Sequence, residues 1–200
     1  MGSRSLTAEA NLFDKRQPRR LAAAGAMVRY ELNVIAANVA DVVASIGGWL
    51  FDRSAAGWDV NVFLDGDHET QPLTILGVGS RELDPWLSRV DRAHQRGVEL
   101  AVASNLRGTD KRIEAEVRDA LRSGNIELVQ WGTSESLEDV DCIEYRLSAA
   151  ARVFKGHAMA AACLGDMPVN VSETLWRPSS AQQIRTEQHH TSEASTIFRK

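Results

Sequence analysis

The sequence lacks several features that would assign it to a compartment other than the cytoplasm. No run of about 18 uncharged apolar residues is present to span a bilayer as a helix. Met1–Arg20 also lacks the apolar centre of a secretory signal peptide. The only two cysteines, Cys142 and Cys163, have apolar neighbours and show no Cys-x-x-Cys or Cys/His ligand spacing. These absences predict a cytoplasmic protein whose two thiols are free and buried.

An excess of positive charge is lacking as well. The chain has 23 Lys and Arg against 27 Asp and Glu, which gives a formal net charge of -4. Proteins that bind nucleic acid rely on dense Lys and Arg to neutralise phosphates, so a nucleic-acid partner is not expected. A hydrophobic content of 44% over 200 residues indicates an ordinary globular chain with room for one sizeable core.

Recognisable catalytic motifs are also missing. The chain has neither a Gly-x-Ser-x-Gly elbow nor a Walker-type Gly-x-x-x-x-Gly-Lys-Ser/Thr loop. The most reactive tetrapeptide is Asp65-Gly66-Asp67-His68, whose side chains could bind a metal or transfer protons, although solvent-facing turns use the same residues. The sequence therefore predicts no metal site, and it leaves the catalytic residues unassigned and the role of this tetrapeptide open.

Composition divides the chain into three segments. Polar and basic residues around Pro18 predict a flexible N-terminal arm over residues 1–27. A single α/β domain is predicted over residues 28–177, and a polar, disordered tail over residues 178–200.

Helical periodicity is clearest in the first part of the predicted domain. One stripe of apolar residues has alternating spacings of three and four: Leu32, Ile35, Val39, Val42, Ile46 and Trp49. This pattern predicts a helix over Arg29–Ser54, with Gly47-Gly48 inside it as a point of bending.

An alternative interpretation of the same stretch places a strand at Asp41–Ser45 and a turn at Gly47-Gly48. It resembles the first unit of a Rossmann dinucleotide-binding fold, with Asp65 near the position of the ribose-binding acid. That fingerprint requires three glycines, and Trp49 and Leu50 occupy the place where the backbone must approach a pyrophosphate. The helix is therefore the favoured interpretation.

An alternation of strands and helices follows, from Trp58 to Trp131. Four strands are predicted: Asp59–Leu64, Leu73–Val78, Val98–Ala103 and Ile126–Trp131. The intervening helices are expected to end at Gly97 and Gly124, the second one being capped by Thr109 or Asp110.

This alternation predicts a fold class. It is a three-layer α/β/α sandwich, Rossmann-like, with a mostly parallel sheet of four or more strands. Because few residues separate the first two strands, the first should be antiparallel to the second or lie at the edge. A long helix over Leu137–Cys163 and an extended piece over Val169–Trp176 complete the prediction.

A ligand site is predicted at the carboxyl edge of this sheet, where ligands of open parallel sheets bind. The loops there supply hydroxyls, an amide, two arginines and glycines suited to a phosphate or carboxylate, although helix caps and tight turns use the same residue types. The candidate ligand-binding residues are Gly79, Ser80, Arg81, Ser104, Asn105, Arg107 and Thr133. The alternative hypothesis is a non-catalytic interaction or scaffold protein that forms a homodimer through its long helices, where the alanine-rich stretch Ala149–Ala162 allows close packing.

Overall fold

The computed structural model describes residues 30–88, 98–123, 126–132 and 140–178. The seven strands are β1 (Glu31–Ile35), β2 (Asp59–Leu64), β3 (Gly79–Glu82), β4 (Val98–Ala103), β5 (Ile126–Trp131), β6 (Val140–Arg146) and β7 (Ser172–Pro178). The five α-helices are α1 (Val39–Ala55), α2 (Gln71–Ile75), α3 (Leu83–Leu87), α4 (Lys111–Ser123) and α5 (Ala149–Ala161), and a short 3-10 turn covers Ser104–Leu106.

All seven strands form one sheet in the order β3-β2-β1-β4-β5-β7-β6. The first five are mutually parallel, and β6 and β7 form an antiparallel pair at one edge. Helices α1, α2 and α5 belong to the core on one face, whereas α3 and α4 belong to the core on the other. The predicted fold class, a mostly parallel sheet between two helical layers, is therefore confirmed. None of the described helices is long and apolar enough to cross a bilayer.

The first predicted helix, Arg29–Ser54, is wrong in its N-terminal half. Glu31–Ile35 is a central strand that pairs with β2 and β4, and the helix begins only at Val39, after the cap residue Asn38. A strand in the middle of a sheet is buried on both faces, so its apolar residues need not alternate, and here Leu32 and Ile35 match the spacing of a helix by coincidence. The Gly47-Gly48 pair does lie inside α1, as predicted, and does not form a dinucleotide turn.

The second predicted strand, Leu73–Val78, is also wrong. Gln71–Ile75 is a short helix with Pro72 in its first turn, and the strand follows at Gly79–Glu82. That strand pairs with β2 in parallel, so β2 is an internal parallel strand and neither antiparallel nor an edge. The helix between them is the parallel crossover that the sequence analysis failed to find.

The long predicted helix, Leu137–Cys163, is corrected to a strand and a shorter helix. Val140–Arg146 is the edge strand β6, and α5 begins after Ser148, whose hydroxyl accepts a hydrogen bond from the backbone N–H of Ala151. The predicted extended piece overlaps β7 from Ser172 onward.

The predictions for the two cysteines, the two chain termini and the two glycine caps have different outcomes. Both cysteines are free but exposed, contrary to the predicted burial: Cys142 lies on edge strand β6, and Cys163 follows α5 in a left-handed conformation with φ of 59°. The predicted N-terminal arm, C-terminal tail and caps at Gly97 and Gly124 lie outside the described residues.

A buried ion pair connects α5 and β7 to the middle of α1. The Nζ of Lys155 donates to Glu173 Oε1 at 2.6 Å and to the carbonyl oxygen of Ala44 at 2.7 Å. The Glu173 carboxylate also accepts the backbone N–H groups of Gly48 and Trp49, at 2.8 and 2.7 Å. In an α-helix, the N–H of Gly48 would donate to the carbonyl oxygen of Ala44, four residues earlier. Here Lys155 contacts that carbonyl and Glu173 contacts that N–H.

Gly48 is required by close packing between α1 and the start of α5. A Cβ at this position would lie 2.5 Å from Leu147 Cδ1. We expect Gly48→Ala to lower the free energy of unfolding by about 1–3 kcal/mol through overpacking. Urea unfolding measures the effect. Gly156→Ala is the matched control, because its Cβ would be 3.6 Å from the nearest atom and alanine raises helix propensity. Equal stabilities of the two variants would contradict the packing argument.

Candidate functional site

The sheet has a topological switch point between β1 and β4. These strands are parallel neighbours, but β1 continues into α1 on one face and β4 leads to α4 on the other. The connections therefore separate at the carboxyl ends of the two strands, which is where open α/β sheets bind ligands. The switch point brings together the loop before α1 and the 3-10 turn after β4.

The first turn of α1 is bonded to the end of β5, across the switch point. Asn38 caps the helix by accepting the N–H of Asp41 on Oδ1 at 2.8 Å. Asp41 accepts the Ser45 hydroxyl on one carboxylate oxygen and the Trp131 indole N–H on the other, both at 3.0 Å. Both oxygens of this carboxylate thus have a fixed orientation beside the helix N-terminus.

The loops that follow β4 and β5 are in direct contact. Ser104 is buried at the start of the 3-10 turn, with 8% of its surface exposed. Gly132 follows β5 with φ of 99°, and a side chain there would collide with the Ser104 hydroxyl. The ends of these two parallel strands are thus close enough for one ligand to contact both loops.

Arg107, which follows the 3-10 turn, is held by α4. Its Nε and Nη2 donate to the two carboxylate oxygens of Glu114 at 2.8 and 3.2 Å. The hydrogen bond from Arg107 lowers the pKa of Glu114 below its ordinary value, and the Gly108 N–H supports it. The remaining nitrogen, Arg107 Nη1, is buried and has no hydrogen-bond partner among the residues that the structure describes. Within that part of the chain, a cationic donor therefore lies at this edge without an acceptor.

Gln130 is a further buried polar group near this edge. It is 1% exposed, and neither its amide nitrogen nor its amide oxygen has a partner in the described part of the chain. Side chains two positions apart on a strand point to the same face, and Gln130 is two positions from Leu128, which packs in the core under α4. Gln130 therefore lies on the face of the sheet that α4 covers. On neighbouring strands it pairs in register with Val102 and Trp176. Buried amides without partners are rare in proteins, so a bound group is one explanation for Gln130.

The structure separates the predicted site residues into two groups. Ser104, Asn105 and Arg107 lie at the switch point, and Thr133 lies outside the described residues. The other three, Gly79, Ser80 and Arg81, form edge strand β3 itself and do not follow a strand. Strand β3 is three positions from β4, a distance of about 14 Å. Arg81 also donates to Asn61 Oδ1 at 2.7 Å, so the two arginines do not form one cluster.

The Asp65–His68 loop lies at the same edge as the switch point, because β2 is parallel to its neighbours. An antiparallel β2, one of the two arrangements predicted from the sequence, would have placed this loop at the opposite edge. His68 Nε2 is 2.6 Å from the backbone oxygen of Asp65, which closes the loop on itself. Within the described part of the chain, no group of three His, Cys, Asp or Glu residues could hold a metal ion.

Sequence reasoning missed Asn38, Asp41 and Gln130. The first two were assigned to the interior of a helix, although an Asn followed three residues later by an acid is a signal for a helix start. Gln130 was included in a predicted strand, and no sequence signal shows that a strand amide will lack partners.

A buried carboxylate also lies at the opposite, amino edge of the sheet. Glu99, the second residue of β4, is 2% exposed, and neither of its oxygens accepts a hydrogen bond from a residue that the structure describes. Its Oε2 is 3.3 Å from Arg53 Nη2, and the Arg53 guanidinium lies 4.5 Å from the centre of the Trp58 ring. Burial raises the pKa of Glu99 from 4.5 to about 7, against the opposing effect of Arg53.

Comparisons with known proteins give only distant structural matches. No protein-family model matches the sequence, and no curated protein matches it. Among solved structures, a triple mutant of a deacetylase of the teicoplanin biosynthetic pathway is 14% identical, with a TM-score of 0.49 over 74% of this chain and 97% of that one. The A40926 pseudoaglycone deacetylase is 13% identical, with a TM-score of 0.44 over 76% of this chain and 97% of that one.

Proposed function

We propose that this protein binds a small anionic ligand, bearing a phosphate or a carboxylate, at the switch point between β1 and β4. The observation that carries the proposal is the buried Arg107 Nη1, for which the described ranges of the chain offer no acceptor. A guanidinium nitrogen removed from water without a partner is destabilising, and an anionic oxygen is the partner that it binds most strongly.

The rest of the switch point indicates what else the ligand should carry. Asp41 is in the first turn of α1, where its carboxylate repels a second anion but accepts hydrogen bonds from hydroxyls. Ser104 and the Gly132 backbone lie on the other side of the same edge. A phosphate or carboxylate attached to a hydroxylated carbon skeleton, as in a sugar phosphate, fits this distribution of charge.

Thermal-shift measurements with ribose 5-phosphate, glucose 6-phosphate, citrate and nucleotides test the proposal. A bound ligand at about 100 times its dissociation constant adds roughly 2.7 kcal/mol, which for a domain of this size raises Tm by roughly 5–10 °C. We expect Arg107→Ala to abolish the shift while the protein remains folded by circular dichroism.

Arg112→Ala is the matched control for the loss of one arginine. Arg112 is exposed and forms ion pairs with Asp84 and Asp110, so its guanidinium already has two carboxylate partners. This variant should respond to the ligand as the wild type does. A panel without any response, or an equal response in Arg107→Ala and wild type, would contradict the proposal.

A cytoplasmic location is part of this proposal. Both cysteines are free and exposed, a state that a reducing compartment preserves. Cell fractionation of the full chain tests it, and recovery in a secreted or membrane fraction would contradict it.

A further inference from the structure

The outer face of α5 has almost no charge. Arg152 is the one charged residue exposed on the helix, since Lys155 is buried in the ion pair with Glu173. The other exposed residues are Ala149, Ala150, Val153, Phe154, His157 and Ala160. A helix that faces water normally places charged and polar residues on its outer side, so this face is not that of an ordinary surface helix.

Helix α4 provides an internal comparison, because it has the same length of 13 residues. Its exposed residues, where the structure describes them, are all charged: Lys111, Arg112, Arg118, Asp119 and Arg122. The two helices lie on opposite faces of one sheet. The difference between them is therefore a property of the α5 surface and not of the protein's surface as a whole.

Exposed apolar residues are concentrated beside this helix. Within the described ranges, the large hydrophobic side chains that remain exposed are Val153 at 58%, Phe154 at 42%, Met167 at 50% and Val171 at 59%. The backbone oxygen of Val171 accepts the N–H of Leu147 at 3.0 Å, which places Val171 next to the start of α5. Large apolar side chains that remain exposed on and beside one helix are typical of surfaces that contact a partner.

We propose that two copies of this chain associate through the outer face of α5, with the two helices antiparallel about a two-fold axis. A two-fold interface pairs a surface with itself, so any excess charge would face its own like charge. The α5 face avoids this repulsion because Arg152 is its one charged residue, and it offers no set of charges to a charged partner. A second copy therefore fits this surface better than an acidic or basic protein does.

The shape of the face also suits a second helix. Ala149 and Ala160 are small and let two backbones approach closely. Phe154 is held in place by stacking on Phe51, with ring centroids 4.5 Å apart and planes at 19°. A helix of 13 residues is about 20 Å long, so the contact is smaller than the standard interface of about 800 Å² per partner. The dimer should therefore be weak and should form as concentration rises.

Sedimentation velocity of the full chain over a concentration series tests the proposal. We expect wild type to pass from monomer to dimer, and Val153→Glu to remain monomeric at the highest concentration. Because Val153 is more than half exposed, the substitution should leave the circular dichroism spectrum and the unfolding midpoint nearly unchanged.

Arg122→Glu is the control, because it adds a glutamate to the exposed face of α4 and should dimerise like wild type. A wild-type chain that is monomeric at every concentration overturns the proposal; this outcome includes the case in which another segment of the same chain covers α5. A dimer that persists in Val153→Glu also overturns it, since the contact must then lie elsewhere.

Discussion

Replacing Lys155 by Met lowers the free energy of unfolding at pH 7 by about 3–5 kcal/mol, because it leaves a buried carboxylate without its counter-ion. Glu173 is 4% exposed, and its carboxylate bonds to Lys155 and to two backbone N–H groups of α1. Methionine fills most of the space but supplies no charge and no donor. The Ala44 carbonyl loses the Lys155 donor in the same substitution.

The stability of Lys155→Met should also depend on pH, through the ionisation of Glu173. Burial already raises the pKa of Glu173, and Lys155 opposes that effect. Without the lysine the folded-state pKa rises further, so the folded chain retains a proton that the unfolded chain releases. The stability of Lys155→Met should therefore be highest at acid pH and should fall as pH rises above about 4.5.

Urea unfolding at a series of pH values measures this effect. Lys111→Met, an exposed change on α4, should cost less than about 0.5 kcal/mol. Adding Glu173→Gln to Lys155→Met should recover part of the loss at pH 7, since a neutral amide needs no counter-ion and still accepts an α1 N–H. A loss that is small or independent of pH would contradict the role given to the ion pair.

Glu99→Gln should raise the free energy of unfolding at pH 8 by about 3 kcal/mol. The pKa of Glu99 is raised from 4.5 to about 7, and each pKa unit corresponds to about 1.4 kcal/mol. A carboxyl with a raised folded-state pKa stabilises the fold fully below its ordinary pKa. That contribution is lost as pH rises from about 4.5 to about 7. The amide remains neutral, so the variant does not undergo this loss.

Chemical unfolding of both proteins at pH 4.5 and pH 8 tests this prediction. The variant should resemble wild type at the lower pH and exceed it at the higher. Glu144→Gln, on the exposed side of edge strand β6, is the control and should change little at either pH. A variant that is less stable than wild type at pH 8 would show that the Arg53 ion pair outweighs the burial of Glu99.

The sequence predicted the fold class and three of the central strands because those elements have clear turn residues at their ends. Asp59–Leu64, Val98–Ala103 and Ile126–Trp131 are confirmed with the predicted bounds. It failed at the junction of β1 and α1, where a buried strand and the buried side of a helix form one apolar series that Asn38 alone interrupts. It also failed at α2, where Pro72 in the first turn and Gly77, with φ of 71°, after the last are signals of a helix.

The candidate site was predicted less completely for a different reason. Chain order indicated that Ser104 and Arg107 follow a strand at the carboxyl edge, and they do. It could not indicate that Arg107 bonds to Glu114 while its Nη1 finds no partner in the described ranges, or that Arg81 bonds to Asn61. Such facts depend on side-chain geometry between elements distant in sequence.

The order of the last two strands has a consequence for local opening. Among the described residues, strand β7 pairs with β6 at seven positions, from Arg146 to Val140, but with β5 at one position, Gln130. The attachment of the segment 140–178 to the parallel strands therefore depends less on sheet pairing than on its contacts with α1, chiefly those of Lys155 and Glu173. A segment attached in this way opens locally when those contacts are lost. Its detachment would remove Glu173 from α1, so the amides of Gly48 and Trp49 would exchange with solvent at the rate of that opening although they lie at the centre of the core.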